Sequence, residues 1–158
     1  MKSDLLIRKA LTGDSEEVAK LLSEAFGPFE DLYTPEAFEA TILDGEKIRE
    51  RITEDGVIWV ALENEKIIGT VSVVDEVEGL YIRSMAVSLK VQKRGIGQKL
   101  IEKVERYAVA KKFEKLYLYT TPFLHGAIRL YERNGFKRRE NIDGFFGTAL
   151  FAMDKKLN

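Results

Sequence analysis

Residues 92–97 read Gln92-Lys93-Arg94-Gly95-Ile96-Gly97. They stand between an apolar run, Leu80 to Val87, and a segment with Leu100, Ile101, Val104 and Ala108 at helical spacing. Two glycines at a strand-to-helix junction let the backbone turn tightly and present successive N–H groups to an anion. The helix N-terminus adds its partial positive charge. Such a turn suits a pyrophosphate, with the backbone from Gln92 to Gln98 as the cradle and Lys93 and Arg94 at hand for charge pairing. The same turn also serves as a plain strand-to-helix connection. Two phosphate motifs fail on it. A dinucleotide fingerprint needs a glycine where Leu100 stands, and a P-loop needs Gly-Lys-Ser/Thr where Gly97 is followed by Gln98 and Lys99.

Working outward, Leu5 to Arg8 reads as an entry strand. Asp14 with Glu17 makes a capping-box pattern ahead of Val18, Leu21, Leu22 and Ala25, which predicts a helix over Ser15 to Phe26 that stops at Gly27 and Pro28. A second helical region opens at Thr34 and Pro35 and runs in two pieces to about Arg51, broken near Asp44 and Gly45. Val57 to Leu62 and Lys66 to Val74 read as an antiparallel hairpin turned by Glu63, Asn64 and Glu65. The long helix after Gly97 ends near Lys111 and Lys112. Beyond it the patterning predicts a strand at Leu116 to Thr120, a helix over Pro122 to Asn134 stopped by Gly135, and strands at Phe136 to Arg139 and Thr148 to Met153. This order predicts one α/β domain over residues 1–158.

Composition narrows the function. Of 158 residues, 45% are apolar, enough for a single core, and 25 Lys plus Arg balance 26 Asp plus Glu to a net charge of −1. That balance lacks the positive footprint of a protein that tracks phosphate backbones or anionic lipid, so neither nucleic acid nor membrane is an expected partner. With no cysteine and one histidine, thiol nucleophiles and the multi-histidine sets of catalytic zinc are excluded. The longest apolar run, Val57 to Leu62, is far below the ~20 residues that span a bilayer, and a cytoplasmic location is expected. A homodimer is compatible with this composition.

A second motif follows the first at a distance. Residues 127–136 read Ala127-Ile128-Arg129-Leu130-Tyr131-Glu132-Arg133-Asn134-Gly135-Phe136. With Gln-x-x-Gly-x-Gly after Met85-Ala86-Val87, and a strand at Leu116 to Thr120 between the motifs, the chain resembles the Gcn5-related N-acetyltransferases over nearly its whole length. The resemblance implies an α/β (α+β) fold: a mixed, mostly antiparallel sheet with flanking helices, whose central strands, here Leu80 to Val87 and Leu116 to Thr120, splay at a bulge. It implies acetyl-CoA as cosubstrate and no metal. The pantetheine arm would then lie in the opening against the backbone of Met85, Ala86 and Val87, with the pyrophosphate on Gln92, Lys93, Arg94, Gly95, Ile96, Gly97 and Gln98. The family often has Asn three residues before the helix alanine. Leu124 stands there, so Thr120 or Thr121 takes over that contact, and His125 lies near the cofactor entrance.

On spacing alone Tyr131 reads as a packing residue of an amphipathic helix. The resemblance makes it the general acid, because a phenol of pKa ~10 can protonate the departing thiolate near neutral pH. An alkylamine acceptor arrives protonated, so a base is needed as well. Many family members carry a carboxylate early in the strand that here begins at Leu80. This chain has Tyr81 and Arg83 there, and its nearest acid is Glu78, a weak candidate beside a turn glycine. The acceptor is expected between Phe29, Glu30, Asp31 and Tyr33, Tyr81 and Arg83 on the strand, and Phe145 and Phe146 in the last hairpin. Aromatics with carboxylates suit a cationic amine, either a small molecule or a protein amine. A non-catalytic acyl-CoA-binding module of the same fold is the alternative, favoured by the missing early-strand acid.

Overall fold

The computed structural model describes residues 5–54 and 56–157. Its strands are β1 (Leu5–Lys9), β2 (Val57–Glu63), β3 (Lys66–Glu76), β4 (Gly79–Val87), β5 (Lys115–Thr120), β6 (Lys137–Phe145) and β7 (Thr148–Lys156). Its helices are α1 (Ser15–Phe26), α2 (Pro35–Thr41), α3 (Gly45–Thr53), α4 (Ile96–Ala110) and α5 (His125–Arg133). The strands form one mixed sheet in the order β1-β2-β3-β4-β5-β7-β6, antiparallel at every pairing except β4 with β5. Among the described residues no helix is long and apolar enough to cross a membrane.

Two cores sandwich the sheet. On one face Leu100, Ile101 and Val104 of α4 pack with Trp59, Leu80, Ile82, Leu118, Phe151 and Met153. On the other, Val18, Leu21 and Leu22 of α1 and Ile48 of α3 pack with Ile58, Val60 and Ala86. Full burial of one such side chain stabilises the fold by ~1.5–3 kcal/mol, so the sheet is held from both sides.

β4 changes register within this sandwich. Ser72 of β3 pairs with Ser84 and Val73 pairs with Ile82, which leaves Arg83 as the extra residue of a bulge. One extra residue reverses the alternation of side chains about the sheet. Leu80 and Ile82 therefore face the α4 side, and beyond the bulge Met85 and Val87 do so while Ala86 turns to the α1 side. The parallel pairing of β4 with β5 covers Leu80 with Leu116, Tyr81 with Tyr117 and Ile82 with Leu118, and then stops. β4 runs on to Val87 and β5 to Thr120, so the two strands splay from Arg83 onward. This is the splayed-sheet α/β fold that the resemblance implied.

Several local expectations are corrected. Asp14 does not cap α1: its carboxylate takes Arg8 Nη1 at 2.8 Å and the Leu11 N–H at 2.7 Å, while Glu17 Oε2 accepts the Ile67 N–H at 2.7 Å and ties α1 to β3. The last helix starts at His125 and not Pro122, because Leu124 has ψ 66 and cannot be a helical turn residue. The sixth strand runs to Phe145 and not Arg139, with irregular pairing between Arg138 and Asn141 and between Ile142 and Phe145. Its polar, Gly-containing second half looks like loop, but pairing to β7 overrides that propensity. The seventh strand likewise extends from Met153 to Lys156.

Candidate active site

At the N-terminus of α4 the backbone takes positive φ at Lys93 (66°) and Gly95 (79°). Alternation of this kind turns N–H groups into a concave nest. No side chain caps α4, and its first intrahelical bond among the described residues runs from the Lys99 N–H to the Gly95 carbonyl at 3.1 Å. The N–H groups of Ile96, Gly97 and Gln98 are thus free at the positive end of a fifteen-residue helix. Lys93 and Gln92 are exposed beside them, and Gln92 Nε2 donates to the Val87 carbonyl at 2.9 Å, which ties the turn to the end of β4. Arg94 is engaged elsewhere: its guanidinium forks onto the Glu63 carboxylate. The Gln98 side chain is structural, exchanging two amide bonds of 2.9 and 2.8 Å with Asn134 of α5.

Gly97 has a separate constraint. A Cβ there would stand 2.9 Å from Leu130 Cδ2 and 3.4 Å from Met85 Cε, so this glycine lets α4 approach α5 and β4 closely. Gly95 faces open space. Asn134 was not legible as a site residue because its motif position reads as a helix end; its amide also donates to the Leu130 carbonyl at 2.8 Å, which holds it at the end of α5 while the Gln98 pair ties α5 to α4.

Tyr131 is buried on α5, with its ring 5.7 Å from that of Phe136. Its hydroxyl donates to the Met85 sulfur at 3.8 Å, on the α4 side of β4 where the strands have parted. Burial alone pushes this phenol well above its ordinary range. Thr120 and Thr121 are both buried at the end of β5, and Thr121 Oγ1 has no hydrogen-bond partner among the described residues. The Tyr33 hydroxyl neighbours Thr121 without closing a well-formed bond to it, and burial raises the Tyr33 phenol. A free helix N-terminus, a parted strand edge and an orphaned buried hydroxyl together fit a ligand with a pyrophosphate and an extended amide-bearing arm.

The expected acceptor residues are not brought to one place. Phe29 and Tyr33 pack on Phe123 at 6.2 and 4.8 Å, and the hairpin tip joins them through Thr34, whose N–H donates to Thr148 Oγ1 at 2.9 Å and whose hydroxyl donates to the Phe146 carbonyl at 2.6 Å. These segments line an open depression of about 530 Å³ that reaches His125, which is exposed at the start of α5. Glu30 and Asp31 line a different cavity of about 550 Å³, with Pro35 and Phe38. Phe145 and Phe146 lie 5.0 Å apart in the turn, Phe146 largely exposed. Glu78 is exposed in the β3–β4 turn, seven residues before Met85, roughly 23 Å along an extended strand. Tyr81 and Arg83 lie on the α1 face of β4, joined there by Arg51 of α3, whose Nη1 donates to Ser84 Oγ at 3.0 Å. Arg51 follows buried Ile48 at helical spacing, a signal that it points inward.

The chain belongs to the acetyltransferase (GNAT) family, whose model matches residues 16–136. Acetyl transfer to an amine is the general activity of that family. Among solved structures it is similar to the PaiA N-acetyltransferase of Thermoplasma acidophilum in complex with coenzyme A, at TM-score 0.84 and 22% identity over 98% of this chain and 99% of that one. It is also similar to a GNAT acetyltransferase of Elizabethkingia anophelis with acetyl-CoA bound (TM-score 0.75, 23% identity, 99% and 100% covered). A third likeness is to the ribosomal-protein-S18-alanine N-acetyltransferase of Escherichia coli (TM-score 0.79, 16% identity, 97% and 94% covered). At these identities the likeness is one of fold. No curated protein matches the chain by sequence.

Proposed function

We propose that the protein transfers the acetyl group of acetyl-CoA to a primary amine, of a small molecule or a protein, by direct attack on the thioester with Tyr131 as general acid. The observation that carries this reading is the buried Tyr131 hydroxyl aimed at Met85 on the parted edge of β4, beside the uncapped N-terminus of α4. In this reading the N–H groups of Ile96, Gly97 and Gln98 hold the pyrophosphate, Lys93 supplies a mobile charge, and the β4 edge at Met85 and Val87 pairs with the pantetheine amides while Thr121 satisfies its hydroxyl on them. The amine nitrogen bonds to the acetyl carbon, the carbon–sulfur bond breaks, the phenol proton passes to the departing sulfur, and the proton that the nitrogen sheds on becoming an amide restores the phenol. Burial keeps Tyr131 protonated at neutral pH, so the proton is present when needed. The transfer needs no metal.

The rival reading, a non-catalytic acyl-CoA-binding module, draws on Tyr81 and Arg83 standing where family members often place a carboxylate. One pair of measurements separates the two: thiol release from acetyl-CoA over a panel of amines, and calorimetric titration with acetyl-CoA. Binding with thiol release supports the enzyme. Binding without release from any amine supports the module, and absence of binding overturns both.

A further inference from the structure

Opposite Tyr131, on the α1 face of the same opening, the fold gathers two guanidiniums. Arg51 reaches from α3 to Ser84 Oγ at 3.0 Å. Arg83, the bulged residue, donates through Nε to Ser72 Oγ at 3.4 Å and through Nη2 to Glu54 Oε1 at 3.1 Å. Arg51 is half-buried, and no carboxylate of the described residues lies within ion-pairing distance of it. A guanidinium carries five N–H donors in a planar fork, and among the described residues a single hydroxyl meets one of them here. Burial, then the neighbouring charge of Arg83, push Arg51 down to about 10. The spot therefore holds unmet donors and, with Glu54 already paired to Arg83, one guanidinium charge more than it has paired carboxylates, a state that an anion relieves.

Three tyrosines wall this spot. The Tyr81 ring stacks on Tyr117 at 5.2 Å and meets Tyr119 edge-on at 5.7 Å, and Tyr119 is exposed. The bulge sets the relation to the reacting centre: Met85, which touches the Tyr131 hydroxyl, and Ser84, which touches Arg51, are consecutive residues facing opposite sides of the sheet. The step from Met85 to Ser84 therefore leads from the Tyr131 side of the sheet to the Arg51 side. The two carboxylates expected to attract a cation, Glu30 and Asp31, line the other cavity.

We propose that the acceptor is a primary amine bearing a carboxylate, of the amino-acid class, with the carboxylate held by Arg51, Arg83 and Ser84 and the apolar body by Tyr81 and Tyr119. A carboxylate matches the guanidinium fork in shape and charge. The same positive charges disfavour the ammonium form of a nearby amine, which helps to present the neutral nucleophile on a strand without a carboxylate base. The role of the amine rests on the acetyltransferase reading; the carboxylate site stands without it.

Two measurements test this. Thiol release from acetyl-CoA is followed with alanine, leucine and phenylalanine, each beside its amide, and with 1,4-diaminobutane. The expected result is kcat/KM at least tenfold higher for the best amino acid than for its amide, falling toward parity in Arg51→Gln through KM. Amides equal to acids, or the diamine outrunning every amino acid, overturns the inference. Separately from catalysis, calorimetry compares 3-phenylpropionate with 3-phenylpropanamide. The acid should bind at least tenfold more tightly to the wild type, and that preference should vanish in Arg51→Gln; equal binding overturns the inference whatever the amines do. Acid binding in the absence of any thiol release supports the anion site and overturns the acetyltransferase reading instead. Acetyl-CoA titration and a thermal melt check folding, and if Arg51→Gln does not fold, Arg51→Lys, with charge but no fork, should lose most of the preference.

Discussion

The Tyr131 hydroxyl of α5 and the Met85 sulfur of β4 meet across 3.8 Å, joining a helix to the inner strand edge that the parting of β4 from β5 leaves open. A thioether is a weak acceptor, whereas a thiolate would be a strong, charged one. The site thus holds a donor in a place where its present partner satisfies it poorly.

One consequence concerns alkaline stability. The folded-state pKa of Tyr131 is raised above the unfolded value of ~10, so stability is full below pH ~10 and is lost as pH rises beyond it, where the unfolded chain ionises first. Denaturant melts between pH 9 and 11.5 should show this loss, and Tyr131→Phe should lose less over the same window. An identical slope in both proteins would mean that other tyrosines dominate.

The cradle is best probed at Gly95. At φ 79 an Asp or Asn is tolerated at a cost of ~1 kcal/mol, and the space around the position is open. Gly95→Asp should weaken acetyl-CoA by a hundredfold or more, and Gly95→Asn, with the same backbone cost and no charge, by far less. Calorimetry checks this. Gly97→Asp is a poorer probe, because its Cβ collides with Leu130 before any ligand is present.

Arg94 offers a test with the opposite sign. Its guanidinium is held by Glu63, so Glu63→Gln should release it toward the pyrophosphate and tighten acetyl-CoA several-fold at low ionic strength. The gain should fade as salt is added, since exposed charges are screened beyond ~8 Å at physiological ionic strength. Unchanged affinity at low salt would place Arg94 outside the cradle.

The Gln98–Asn134 pair predicts a coupling. Removing either amide leaves the other partly unsatisfied at the α4–α5 contact, so a double-mutant cycle with Gln98→Ala and Asn134→Ala should give a coupling energy of ~1 kcal/mol from denaturant melts. A value near zero would make the pair incidental.

Much of this was legible in the sequence where chemistry and spacing coincide. Gln92 to Gly97 announces an anion-binding turn through its glycines, and Ala127 to Phe136 carries Tyr131 in a fixed place on an amphipathic helix. The hairpin turn at Asn64 and Glu65 was legible too, and both residues take positive φ. The bulge was legible only through the family resemblance, because Leu80 to Val87 contains no breaker and a one-residue shift is a property of the pairing partner, not of the strand. Arg51 was missed for a related reason. It stands among charged residues of α3, and only tertiary packing against β4 turns it from a surface cation into a half-buried one. The second half of β6 was lost to its Asn and Gly content, which read as loop until β7 is beside it.

The most direct test of the central claim compares the wild type with Tyr131→Phe at saturating acetyl-CoA and the best amine of the panel, following thiol release and confirming the acetylated amine by mass. The substitution removes one oxygen and little volume, so acetyl-CoA affinity should stay within a few-fold. Turnover should fall by ~10² or more, the scale of one general acid. Full turnover in the variant would contradict the assignment of Tyr131, and with it the account of how this opening in the sheet works.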